Sequence, residues 1–212
     1  MKTPALRLGI DIGSTTVKLV VIEAESGRVL YSRYQRHHAH QAETARLLLE
    51  AAKQAFPEER FRTGVCGSGG KPIAQALDAC YIQEVVANAA AVQTLYPQAR
   101  TAVELGGQDA KVIFFRYDEA LGRLTTSDMR MNGSCAGGTG AFLDEIAALL
   151  DVEPQEFETL AAQGTHVYEI SGRCGVFAKT DIQPLLIQGA ARADIALSTF
   201  HAVAKQDRKS VV

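Results

Sequence analysis

The sequence offers little that would tie it to a membrane, a bulk polyanion or an oxidising compartment. No apolar run approaches the ~18 residues that a membrane-spanning helix needs. The N-terminus, MKTPALRLGIDIG, passes from charged residues into a strand without the apolar core of a signal peptide. These two absences give a cytoplasmic expectation with no membrane partner. Charge of one sign is also scarce. The formal net charge is −2, which leaves no broad electrostatic footprint for nucleic acid or an anionic surface. Cysteine is sparse: Cys66, Cys80, Cys135 and Cys174 are the four, and none forms a C-x-x-C pair. Disulfides are not expected in a reducing compartment. The ordinary reading of a single cysteine is a small buried hydrophobe, and Cys66 and Cys80 keep it.

What is present is ordinary globular material. The chain has 212 residues, 47% hydrophobic and 22% charged, enough for one large or two small domains. LRLGIDIG, TTVKLVVIEA and VLYSRYQRH read as three strands joined by short turns, an antiparallel meander. QAETARLLLEAAKQAF reads as a helix with Ala45, Leu48, Leu49 and Ala52 on one face. A strand into a glycine turn (RTGVCGSGG), a short helix from Pro72 and a helix over Glu84–Tyr96 follow. The pattern then restarts. TAVELGGQ, AKVIFFRYDE and GRLTTSDMRM repeat the strands, and a helix starting near Gly137 carries an apolar stripe of Leu143, Ile146, Ala147 and Leu150. Strand, glycine turn, strand, strand, helix thus occurs twice, a repeat of elements rather than of letters. The expected fold class is α/β, in two similar halves.

Two further helices close the chain, one containing Pro184, with no fourth strand visible in the second half. The expected organisation is a first half over 1–100, a second over 101–206 that is incomplete, and a non-native tail over 207–212. An incomplete second half would leave Ile195, Leu197, Phe200 and Val203 exposed on the last helix, making the chain poorly soluble or partly molten there.

The chemistry sits in three glycine-rich stretches. DIGSTTVK places Asp11 at a strand end, then Gly13, Ser14, Thr15 and Thr16, then Lys18 on the returning strand. Such a turn can cradle phosphate as a backbone nest, and the aspartate can hold hydrated Mg²⁺; alone it is equally a polar β-turn. ELGGQDAK repeats the order with Glu104, Gly106, Gly107, Gln108 and Lys111. Two such turns facing one another across a cleft would be far more specific than one. NGSCAGGTGAF is a glycine loop of the kind that closes amides on an anion, through Gly137, Gly138 and Thr139, yet it carries Cys135. RHHAH holds three histidines, read as a solvated strand end rather than a metal site on which His38 and His40 alternate. Lys71 and Lys179 read as surface lysines.

GIDIGSTTVK, GGQDAKV, NGSCAGGTGAFLD and RCGVFAKTD together resemble the nucleotide-binding superfamily of actin, Hsp70 and sugar kinases. Within it, the chain resembles the activases of 2-hydroxyacyl-CoA dehydratases and the ATPase subunits of benzoyl-CoA reductases. HHAHQAETA and CGVFAKTDIQPLLIQGA look especially like the activase domain that opens very large multidomain members. The resemblance implies a duplicated actin/Hsp70-like (ribonuclease H-like) ATPase fold, with ATP and Mg²⁺ as ligands. It implies a homodimer bridged by one 4Fe–4S cluster held by Cys135 and Cys174 of each copy. It also implies a ferredoxin or flavodoxin-type electron donor and an acyl-CoA dehydratase or reductase component as acceptor. Asp11 and Glu104 would be the catalytic acids. Four thiolates are the usual ligand set of such a cluster, and a twofold axis would complete it. Each cysteine precedes an expected helix, near Gly137 and Val176, whose free amides would favour an anionic group. Glu104 stands where the activase pattern carries aspartate; the charge is kept and its reach grows by one methylene. A plain small-molecule kinase and a non-enzymatic dimerising fragment are the competing readings.

Overall fold

The computed structural model describes residues 5–131, 138–172 and 175–211, with side chains described as far as 206. The chain divides into two compact units, Met1–Pro97 and Gln98–Val212. Among the described residues, no helix is long and apolar enough to cross a membrane.

The first unit is built on a five-stranded sheet in the order β3-β2-β1-β4-β5. Its strands are β1 (Leu6–Ile12), β2 (Thr16–Glu23), β3 (Val29–Arg36), β4 (Phe61–Cys66) and β5 (Cys80–Tyr81). The meander β1–β2–β3 is antiparallel, and β4 runs parallel to β1 after the crossover helix α1 (Gln41–Ala55). Alternation drives the packing. Leu6, Leu8, Ile10 and Ile12 from β1 and Val17, Leu19 and Val21 from β2 point to one face, where Ala45, Leu48 and Ala52 of α1 cover them. Helix α2 (Gly70–Ala76) begins two residues before Pro72, and α3 (Glu84–Leu95) follows. The two-residue β5 has no apolar alternation to announce it.

The second unit has a three-stranded antiparallel sheet, β6 (Thr101–Leu105), β7 (Ala110–Asp118) and β8 (Arg123–Met131). Its helices are α4 (Gly140–Leu149), α5 (Phe157–Ala161), α6 (Gly175–Ile187) and α7 (Arg192–Val211). Phe142, Ile146 and Ala147 form the buried stripe of α4, continued by Leu150 just past its end, so Phe142 takes the place expected of Leu143, which is half-buried. The five-residue α5 is too short for a periodic signal.

The expected exposed face of α7 is corrected: Ile195 and Val203 are buried, and Leu197 and Phe200 are half-buried. Ile195, Ala196 and Val203 are buried among Phe142, Ile146, Phe157 and Ile182, and Phe157 stacks on Phe200 with centroids 5.4 Å apart. Helix α5 and the turn segments around it supply the cover that the sequence reading sought in a further strand. The segment 165–170 lies along α7 without a strand partner. Its amides are taken instead by side chains of α7: Thr165 and His166 donate to Asp194 Oδ1 (2.7 and 2.9 Å), and Tyr168 donates to Ser198 Oγ (2.8 Å). Gly164 and Gly172 bound this strap because a Cβ at either would collide with a backbone carbonyl of α7, that of Ala193 or Ala202.

Candidate functional site

Asp11 is the next-to-last residue of β1, half-buried before the fully buried Ile12, and pairs in register with Lys18 of β2. Lys18 Nζ donates to Asp11 Oδ2 at 2.7 Å. The β1–β2 turn closes through Gly13 N–H to Thr16 C=O at 2.9 Å. Among the described residues the amides of Ser14 and Thr15 have no acceptor, so the half-buried tip presents two free donors. Asp11 Oδ1 is buried and has no hydrogen-bond partner among the described residues. An unpaired buried acceptor costs about 1–3 kcal/mol, which a water or a hydrated cation would relieve. The turn therefore fits a phosphate–Mg²⁺ pair: donors at the tip, a lysine, and a carboxylate oxygen in need of a partner.

The floor of this turn comes from residues the sequence reading passed over. Strand β4 ends beside Asp11, with Cys66 as its register partner. Gly67 (φ +91°) then lies so close to Asp11 Oδ1 and the Ile12 carbonyl that no side chain fits. Gly69 N–H donates to Ile12 C=O at 2.9 Å. Burial pushes the Cys66 thiol up to about 12, and the Asp11 carboxylate beside it adds to the shift. The thiol is a weak donor and lacks the geometry of a full hydrogen bond to Oδ1.

The second unit repeats the arrangement position for position. Glu104 pairs in register with Lys111, at 3.7 Å, and Gly106 N–H closes on Asp109 C=O at 2.8 Å. The spacing of acid, glycine, carbonyl acceptor and lysine is the same in both turns. What differs is the surroundings. Lys18 is 46% exposed, whereas Lys111 is 7% exposed. The second turn is also bolted to a helix: Gly140 N–H donates to Gly106 C=O and Ala141 N–H to Gly107 C=O, both at 2.9 Å. Helix α4 starts at Gly140 rather than near Gly137, and these two amides of its first turn are spent on the glycine turn. The expectation of free amides at that helix end is corrected for them. Gln108 is exposed; Gly138 (φ +78°) and Thr139 are buried, Thr139 as the residue that precedes α4.

Cys135, Gly137 and Cys174 lie outside the described residues; Gly175, next to Cys174, opens α6. Among the described residues, no group of three His, Cys, Asp or Glu could hold a metal ion. Cys66 is half-buried and Cys80 is exposed, so neither is the fully buried hydrophobe expected; the two-residue edge strand β5 cannot cover Cys80. His38 and His40 do not alternate on a strand. Strand β3 ends at Arg36, and His38 and Ala39 adopt positive φ of 45° and 69°. Lys71 is exposed, and Lys179 is ion-paired with Glu145 at 3.2 Å.

A five-stranded mixed sheet in one unit and a three-stranded antiparallel sheet in the other, each with an acid–glycine–lysine turn, fit an ATPase of the duplicated actin/Hsp70-like type. The chain belongs to the BadF/BadG/BcrA/BcrD ATPase family, which it matches over residues 8–210. The crystal structure of Acidaminococcus fermentans (R)-2-hydroxyglutaryl-CoA dehydratase component A superposes with a TM-score of 0.84 at 26% identity, covering 97% of this chain and 77% of that one. The activator of the 2-hydroxyisocaproyl-CoA dehydratase from Clostridium difficile, solved with bound ADPNP, gives 0.81 at 28% identity over 97% and 75%. The activator of lactoyl-CoA dehydratase from Anaerotignum propionicum is 30% identical over 199 residues, 94% of this chain and 74% of its own length.

Proposed function

We propose that this ATPase activates an acyl-CoA dehydratase or reductase component by ATP-driven one-electron transfer, working as a homodimer. The observation that carries the nucleotide part is the recurrence of one constellation at the head of both units: Asp11–Gly13–Lys18 and Glu104–Gly106–Lys111. In this reading, Asp11 and Glu104 organise Mg²⁺ and the attacking water. Gly13, Ser14, Thr15, Thr16 and Lys18, with Gly106, Gly107 and Gln108, line the phosphates; Gly137, Gly138 and Thr139 are further candidates for nucleotide binding. Only a difference between ATP and ADP contacts at these turns can drive a conformational change. The unpaired Asp11 Oδ1 and the free Ser14 and Thr15 amides support a γ-phosphate and cation in the first turn. The activator relatives named above, one of them holding ADPNP, support the dehydratase partner and the nucleotide.

The candidate cluster ligands are Cys135 and Cys174, two from each copy. When bound, a 4Fe–4S cluster supplies a one-electron donor whose potential depends on the charges and hydrogen bonds around its sulfurs. A ferredoxin or flavodoxin-type protein is the proposed electron source. The test is anaerobic purification with iron and sulfide analysis, alongside ATP hydrolysis. About four irons per dimer are expected, lost in Cys135→Ser and Cys174→Ser and kept in Cys66→Ser and Cys80→Ser. Asp11→Asn should abolish hydrolysis while leaving iron content unchanged. Iron retained without Cys135 or Cys174 would overturn the ligand assignment; full hydrolysis by Asp11→Asn would overturn the first turn as the nucleotide site.

A further inference from the structure

The RHHAH stretch has no place in the proposed chemistry, yet it holds one of the few buried polar side chains of the first unit. His37 is 5% exposed. It follows the last residue of β3, and its own N–H continues the β2–β3 ladder by one rung, donating to Thr15 C=O at 3.2 Å. Its ring reaches back to the first glycine turn, where Nε2 lies 3.2 Å from Gly13 C=O. The other ring nitrogen is accounted for: Ala39 N–H donates to Nδ1 at 3.1 Å. A neutral imidazole that accepts at Nδ1 carries its hydrogen on Nε2, so Nε2–H donates to Gly13. Gln41 Nε2–H also donates to the same carbonyl, at 3.4 Å.

The backbone after His37 bends to make this possible. His38 and Ala39 are consecutive non-glycine residues in the left-handed region, with φ of 45° and 69°. That conformation is unfavourable for residues bearing a Cβ and persists only where the surroundings over-determine it. Here the kink turns the Ala39 amide onto Nδ1, and His40 N–H closes on His37 C=O at 2.7 Å.

We infer that His37 is a positioning residue for nucleotide binding: its ring clamps the Gly13 carbonyl so that the Ser14 and Thr15 amides stay aimed at phosphate. Gly13 is then fixed at both ends, its N–H by Thr16 and its C=O by His37, with a longer bond from Gln41 beside it. The strained His38–Ala39 kink fixes the ring. This inference rests on the reading of the first turn as a phosphate site, and the two fail separately.

The experiment measures ATP dissociation constants by calorimetry and melting temperature for the full chain and four variants. His37→Ala should weaken ATP about tenfold, roughly the loss of one well-placed bond. His37→Gln, whose amide nitrogen reaches about as far as Nε2, should recover binding to within about threefold of the parent. His37→Asn, which can accept from Ala39 but cannot reach Gly13, should stay as weak as His37→Ala. Equal binding by the Gln and Asn variants overturns the inference, because a merely space-filling histidine would not separate them. Should His37→Ala fail to fold, that Gln–Asn contrast still decides. Asp11→Asn is the control for the underlying reading. If it binds ATP–Mg²⁺ like the parent, the phosphate site itself is misplaced. If it loses binding while His37→Ala does not, only the clamp is wrong.

Discussion

Gly67→Ala and Gly27→Ala form a matched pair that measures how tightly the floor of the first turn is packed. Both glycines have positive φ, +91° and +71°, so an alanine at either place meets a backbone conformation that costs an L-residue about 1–2 kcal/mol. Alanine returns part of this, about 0.4–1 kcal/mol, by restricting the unfolded chain. The surroundings then separate the two. Nothing lies within 4 Å of a Cβ at Gly27, in the β2–β3 turn. A Cβ at Gly67 would run into Asp11 Oδ1 and the carbonyl of Ile12, backbone and a buried carboxylate that cannot swing aside. Forced overpacking of this kind adds about 1–3 kcal/mol. Gly27→Ala should therefore cost about 0–1.6 kcal/mol, and Gly67→Ala about 1–4.6 kcal/mol, the difference of about 1–3 kcal/mol being the overpacking.

The sequence contains no tryptophan, so urea unfolding is best followed by far-ultraviolet circular dichroism. In a unit of this size each kcal/mol moves the melting temperature by roughly 4–8 °C, well within resolution. Gly67→Ala should also weaken ATP by displacing the Asp11 carboxylate, while Gly27→Ala should not. If the two variants fall within about 0.5 kcal/mol of one another, below any effect expected of a real overpacking, the close approach at Gly67 is not what holds Asp11 in place.

Three further outcomes follow from the geometry. Ile195→Ala should destabilise the second unit by about 2–5 kcal/mol, the usual range for a fully buried isoleucine; a loss under about 0.5 kcal/mol, typical of surface positions, would restore the exposed face once expected of α7. Cys80 should alkylate readily at pH 8 and Cys66 hardly at all, since a thiol pushed up to about 12 is almost wholly protonated there; because the folded value is raised, the stability linked to Cys66 is complete below its ordinary value and falls as pH climbs toward 12, a slope that Cys66→Ala should remove. Asp194 is held below the usual carboxylate range by the amides of Thr165 and His166, so its contribution is present above that range and lost on acidification: the melting temperatures of parent and Asp194→Asn should differ at pH 7 and converge as pH falls below about 4; an unchanging gap would mean the strap is held by something other than charge.

The parts of this fold legible in the sequence are those whose residues answer to a local rule. Leu6–Leu8–Ile10–Ile12 alternates because one face of β1 is buried, and Ala45–Leu48–Ala52 recurs at helical spacing because one face of α1 is buried. The acid–glycine–lysine turns were readable because each needs particular residue types over a short span. What escaped depends on partners distant in sequence. His37 looked like one of three solvated histidines, since nothing in RHHAH reveals that its ring meets a carbonyl 24 residues earlier. Gly67 gave only a generic turn signal; its closeness to Asp11 is a parallel pairing across the α1 crossover. The cover over α7 came from a five-residue helix and a strap without regular structure, neither of which has a period to detect.

The repeated turns also differ in how they are held, which bears on what each can do. In the first unit the turn is braced from outside, by His37 and by Gly67 and Gly69 just after β4, and among the described residues its tip amides are left without acceptors. In the second, the carbonyls of Gly106 and Gly107 are joined to the first two amides of α4. A turn braced by neighbours can hold a ligand without moving much. A turn that shares hydrogen bonds with a helix start cannot shift without either breaking two bonds or carrying the helix along. Breaking both would cost about 1–3 kcal/mol, comparable with the coupling free energies typical of linked sites, so moving the helix is a competitive outcome. Helix α4 begins five residues after Cys135. On the proposed reading, then, the first turn is the better candidate for affinity and the second for transmission. The buried Lys111, set against the more open Lys18, is what a transmitting turn requires, because it resists rearranging within itself.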